Sequence, residues 1–240
     1  AALTVTGTGD TEIELSGDNT LVSGSGHAGL EKNDNTGNGT LIIKDDKNDD
    51  GTPKTEEQKK AETESGEGAG SLTATGGARG AGIGGGAFGE GNDITITGGT
   101  VNATGGEGND YYAHGGAGIG GGYLGGANNI TITGDDTKVN AAGKDDGAGI
   151  GGGFAGTANG ITLSGGTVDA TGGAYGAGIG GGGNSYQSGG GSASNITISG
   201  NNTHVTATGK DGGAGIGGGA GGGVENSTAG NASGGTISGG

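Results

Sequence analysis

The chain has 240 residues, 72 of them glycine, with seven aromatic residues, one proline and no Cys, Met or Trp. Lys and Arg number 10 against 26 Asp and Glu, a net charge of −16, which excludes the cationic footprint of nucleic-acid binding and disfavours anionic membranes. Collagen fails for want of proline and a strict glycine period, and a conventional core fails for want of large side chains.

In chain order, the first element is a worn repeat. EIELSGDNTLVSGSG at 12–26 aligns without gaps on NITISGNNTHVTATG at 195–209. GHAGL at 26–30 stands where later copies read Gly-Gly-Ala-Gly-Ile, TLIIKDD at 40–46 replaces an ITIT segment, and SLTATGG at 71–77 replaces TVNATGG. Between the last two lies an insertion, 45–70, DDKNDDGTPKTEEQKKAETESGEGAG. Asp46, Asn48, Asp50, Gly51 and Glu57 fit the D-x-[DN]-x-[DN]-G-x5-E order of a calcium loop, with the Thr52 carbonyl in the seventh place. Calcium is the one cofactor this pattern suggests. The bland alternative is an acidic solvated loop leading into a short helix, with Thr52 as N-cap and Pro53 at its first position.

The repeat is clear from residue 80 onward. GAGIGGG occurs five times, with its isoleucine at Ile83, Ile119, Ile150, Ile179 and Ile216. After a variable loop come DITITGG at 93–99, NITITGD at 129–135, GITLSGG at 160–166 and NITISGN at 195–201. Each is followed by a third segment: TVNATGG at 100–106, KVNAAGK at 138–144, TVDATGG at 167–173 and HVTATGK at 204–210. The tail, GGTISGG at 234–240, starts another ITIT segment and stops. Solenoid ends need polar caps, so the reading expects a piece of a longer array, or end-on or lateral self-association.

Three short alternating segments per period of roughly 30 residues describe one coil of a parallel β-helix. The expectation is an all-β, right-handed parallel β-helix over 1–240 as a single domain, about seven coils with three short strands each. Ile94, Ile130, Ile161 and Ile196 should share one interior row, and Asn92, Asn128 and Asn159 a turn ladder. For the glycine segments alone, a polyglycine-II bundle is the alternative, but it leaves the Thr/Ile alternation unexplained.

Most aromatic residues fall in the loops: Phe88, Tyr123, Phe154 and Tyr186 after Gly-Gly-Gly, and Tyr111, Tyr112 and Tyr175 in the third corner. They either cap the corners or form a strip on which sugar rings stack. The rows Thr95/Thr97, Thr131/Thr133, Thr162/Ser164 and Thr197/Ser199 offer a flat Thr-x-Thr ladder, as an ice-binding surface would, although Glu14/Ser16 and Ile42/Lys44 interrupt it in the first coils. Outward threonine also suits a strand for its own sake. Catalysis finds little support: carboxylates on the ladders are isolated, Arg79 is the only arginine, and His27, His114 and His204 occupy unrelated repeat positions. The recurrent glycine motif lacks the Lys-Ser/Thr and the βαβ setting of a nucleotide loop. No enzyme is expected. No apolar run reaches the roughly 18 residues of a membrane span, and the lack of cysteine suits a cytosolic or a bacterial surface protein alike.

GAGIGGG followed by ITITGGTVxATGG resembles the glycine-rich repeat arrays of secreted or wall-anchored proteins of Gram-positive bacteria, over about residues 12–240. The resemblance implies a right-handed β-helix displayed at the cell surface within a longer chain. It also implies a non-catalytic role in adhesion or in binding polysaccharide or host glycans. Ice binding and a purely structural spacer are the alternatives.

Overall fold

The computed structural model describes residues 1–32, 39–48, 51–65, 69–108, 114–186, 189–222 and 228–238. It is a parallel β-helix whose strands stack into three sheets, with each strand paired to its equivalent one coil away. The coils succeed one another along seven strands of the first sheet, from Leu3–Val5 through Leu30–Lys32 and Ile83–Gly84 to Ile216–Gly217. The second sheet carries the ITIT segments, such as Gly91–Ile96, and the third the TVNAT segments, such as Thr100–Thr104. Among the described residues the third sheet has six strands, and Ala232–Ser233 and Thr236–Ile237 of the seventh coil pair in the second sheet.

The period-2 alternation places like on like. Ile94, Ile130, Ile161 and Ile196 pair in one row and Ile96, Ile132, Leu163 and Ile198 in the next. Across the core stand the Val101, Val139, Val168, Val205 row and the Ala103, Ala141, Ala170, Ala207 row. Each fully buried isoleucine contributes roughly 2 kcal/mol by leaving water, and these four rows, with the Ile83, Ile119, Ile150, Ile179 row of the first sheet, fill the core cluster of the described residues without an aromatic side chain. The composition is thereby explained. Asn128 donates to Asn92 at 2.8 Å, and Ser194 and Asn195 both donate to Asn159. The left-handed residues are not these asparagines but their successors, Asp93, Asn129, Gly160 and Asn195. The chain bulges there before each ITIT segment.

The first coil departs from the sequence alignment. Ile13 pairs with Ile43, which pairs with Ile96, so Ile13 sits one row beyond the Ile196 row the gapless alignment assigned it. Glu12 and Glu14, not Glu14 and Ser16, continue the two outward rows of the second sheet. Leu15 is buried at 1% exposure at the turn, beside Gly70 and Gly99. In this register Leu15 fills that corner.

The insertion has a defined neck. Lys54 Nζ lies 2.6 Å from Asp45 Oδ1 and 2.9 Å from Glu62 Oε2, and the Gly70 N–H donates to Asp45 Oδ2 at 2.9 Å. Lys47 and Pro53 form an antiparallel bridge, and a helix follows at Glu56–Ser65. Its N-cap is Thr55 rather than Thr52. Thr55 Oγ accepts from the Gln58 N–H while Gln58 Oε1 accepts from the Thr55 N–H, a reciprocal capping box. Pro53 belongs to the bridge instead of the helix. The helix runs beside the turns joining the second and third sheets, where a groove of about 570 Å³ opens between Lys59, Thr97 and Asp136.

Candidate functional site

The strands of the first sheet are only two residues long in the glycine-rich coils. Each Ala-Gly-Ile-Gly-Gly segment turns inward to place its isoleucine and comes straight out again. The Ala81 N–H donates to the Gly85 carbonyl at 2.9 Å, and Ala117 to Gly121, Ala148 to Gly152 and Ala177 to Gly181 repeat the bond. Only glycine permits so narrow a neck: a Cβ on Gly82 would stand 2.6 Å from both the Thr104 nitrogen and the Gly118 oxygen.

The turns on either side therefore meet outside the sheet. Ala87 donates to the Gly26 carbonyl, Tyr123 to Arg79, Phe154 to Gly115, Gly183 to Asp146 and Ala220 to Tyr175. In each bond the donor lies four residues after the first-sheet residue of its coil, and the acceptor four before that of the previous coil. Two corners that the sequence separates become one surface.

Aromatic residues gather on it. Tyr123 stacks on Phe154 at 5.5 Å between centroids and on His114 at 5.3 Å, and meets Phe88 edge-on at 5.1 Å. His114 lies 3.8 Å from the Phe154 ring and 4.9 Å from that of Tyr186. The Arg79 guanidinium sits 5.0 Å over Tyr123, within cation–π range. Phe154 is buried, whereas Phe88 is 64% exposed and Tyr186 48%. Leu124 is also exposed. Phe88 and Leu124 hold left-handed backbones, with φ of 64° and 59°, as do Arg79 and Tyr175. For a side chain with a Cβ that conformation costs on the order of 1–2 kcal/mol.

A carboxylate lies under this cluster. Asp146 is 1% exposed, accepts from Ser185 Oγ at 2.8 Å, and has His114 Nδ1 3.8 Å from Oδ2. Among the described residues its Oδ1 has no hydrogen-bond partner. Burial, seconded by the neighbouring Asp145 charge, pushes its carboxyl up to about 6. Although Ser, His and Asp are gathered here, the serine hydroxyl is directed at the aspartate, so the order of a nucleophile relay is not formed.

Of the aromatic strip read from the sequence, the structure brings together Phe88, Tyr123, Phe154 and Tyr186. Tyr175 packs one coil further on, its ring close above Gly222. Tyr111 and Tyr112 lie outside the described residues, as does Asp50 of the calcium pattern. The remaining groups of that pattern take separate partners and positions. Asn48 Oδ1 accepts from Gln58, the Thr52 carbonyl accepts the Asn48 N–H, and Glu57 lies in the first turn of the helix. Asp46 is turned toward Lys44 and Glu14; a hydrogen bond with Glu14 holds its carboxyl below the ordinary value, while burial raises that of Glu14. Among the described residues no cluster of three or more potential metal ligands is formed. Thr95, Thr131, Thr162 and Thr197 stand in register, continued by Ile42 and Glu12 below. Thr97, Thr133, Ser164 and Ser199 follow them, with Thr97 lining the groove beside the helix.

His114, Asp146, Ser185, Arg79 and Leu124 were not read as site residues. The available signal was positional: Arg79 and Asp146 occupy the fourth place before their isoleucine, where the coil between them has Gly115.

A family model described as a beta helix repeat matches residues 94–123, 130–154, 161–183 and 196–220. Each match runs from an isoleucine of the second sheet to the donor of an inter-coil bond: Tyr123, Phe154, Gly183 or Ala220. Fold and match together define a β-helix repeat protein. Neither a curated protein nor a solved structure matches the chain. No described helix is long and apolar enough to cross a membrane.

Proposed function

We propose that this β-helix is a non-catalytic bacterial adhesion module, secreted or displayed at the cell surface, that holds polysaccharide or host glycan at the converged corners. One observation carries the reading. Phe88 keeps a bulky apolar ring on a left-handed backbone while 64% exposed, a combination that costs backbone energy and, beyond the edge contact with Tyr123, buries little in return. Phe88, Leu124 and Tyr186 offer apolar surface to a pyranose face, and Arg79 offers donors to its hydroxyl or carboxylate groups. A glycan array with neutral and acidic sugars tests this, and retention of a defined sugar class is expected.

A second reading rests on the registered threonine row of the second sheet. Four coils present it, yet Ile42 and Glu12 continue it with different chemistry. Thermal hysteresis in a freezing assay separates ice binding from glycan binding. A module silent in both assays is a spacer.

A further inference from the structure

We infer that the neck of the insertion matures into a covalent cross-link, an amide between Lys54 Nζ and Asp45 Cγ, with Glu62 moving the proton. The inference is independent of the glycan reading and rests on four groups. Lys54 and Asp45 side chains are 4% and 3% exposed, and Nζ lies 2.6 Å from Oδ1. Glu62, 18% exposed, meets the same nitrogen at 2.9 Å. The Gly70 N–H donates to Asp45 Oδ2. An ion pair alone would need only one carboxylate, whereas an amine, a carboxyl, a second carboxylate on the amine and a donor on the outer oxygen are the parts of an acyl transfer.

The step balances without a co-reactant. The Lys54 ammonium passes one proton to Asp45 Oδ1, a neutralisation that burial assists and the hydrogen bonds on Nζ oppose. The freed amine attacks Cγ, and the negative charge that develops on Oδ2 is held by the Gly70 N–H. Glu62 takes the second proton from Nζ and delivers it to Oδ1. The Cγ–Oδ1 bond breaks, one water leaves, and Glu62 is again a carboxylate. Amide formation is poor between separate molecules in water, but groups fixed in contact gain effective molarities of about 10⁵–10⁸ M.

Burial works against the Lys54 charge, yet hydrogen bonds to Asp45 and Glu62 outweigh it and hold the ammonium above its ordinary value. The neutral pair is thus a minority state, and the bond forms slowly after folding. Once formed, it closes a ring over residues 45–54 and fixes the base of the helix.

Intact mass spectrometry of the purified chain, followed during prolonged incubation, decides the matter. The expected wild-type mass is lower than the sequence mass by one water, and tandem fragmentation joins residue 45 to residue 54. Lys54→Arg and Asp45→Ala keep the full mass, and Glu62→Gln loses the water more slowly or not at all. Circular dichroism confirms that the variants keep their β-content. A wild type that retains its full mass throughout, or a link from Lys54 to Glu62 instead, overturns the inference.

Discussion

The Tyr123 N–H donates to the Arg79 carbonyl at 2.7 Å, while the Arg79 guanidinium lies over the Tyr123 ring in the same pair of coils. Backbone and side chain thus join the same two corners. The bond recurs up the solenoid, so the surface outside the first sheet is a repeated structure on which side chains differ from coil to coil. Variation there changes chemistry without changing the frame.

The frame depends on glycine columns. Gly86, Gly122, Gly153, Gly182 and Gly219 stack so closely that a Cβ on any of the last four would penetrate the carbonyl of the glycine before it. Gly153→Ala should therefore lower unfolding stability by about 3 kcal/mol or more, the upper part of the overpacking range. At Gly24 a Cβ meets nothing within 4 Å, and Gly24→Ala should change stability by less than about 0.5 kcal/mol. Denaturant unfolding of both variants checks the contrast.

Phe88 and Phe154 separate binding from packing. Phe154, 7% exposed, lies against His114 and Tyr123, so Phe154→Ala should cost about 3–5 kcal/mol. Phe88→Gly relieves a φ of 64° at an exposed site and should leave the melting temperature nearly unchanged while weakening ligand retention. Thermal melts beside binding measurements show which ring does which.

Asp146 gives the protein a pH signature. Its folded value of about 6 lies above the ordinary 3.8, so between these values the folded state binds more protons than the unfolded. Stability from this group is therefore greatest in acid and falls as pH rises through about 4 to 6, by at most about 3 kcal/mol. The groups facing it are Ser185, His114 and Asp145; a protonated His114 would favour the carboxylate and reduce the slope. Asp146→Asn should gain on wild type in melting temperature as pH increases across that interval. A difference independent of pH would contradict the assignment.

Much of the fold was legible because the ladders repeat. Ile94, Ile130, Ile161 and Ile196 share a row for the reason their sequence suggests: alternation selects a face, and stacking aligns equivalents. The alignment differs from the structure at Ile13, where burial of Leu15 decides the register. The aromatic residues were visible as loop residues, but their meeting was not. It follows from Ala81 bonding Gly85 behind Ile83, a contact that no periodicity encodes, and it brings Arg79 to Tyr123 and Asp146 beneath Phe154's neighbours. Thr52 is not the helix cap because Thr55 and Gln58 cap it reciprocally, and the Asp45–Lys54–Glu62 neck needs the chain to double back before it exists.

The most direct test of the binding surface is a paired glycan array of wild type and the double variant Phe88→Gly/Tyr186→Ser, with Thr131→Ala as a control on the second sheet. The account predicts that wild type and Thr131→Ala retain the same sugars and that the double variant loses them by a factor of ten or more, about 1.4 kcal/mol. Equal retention by all three, or loss in Thr131→Ala alone, would contradict it.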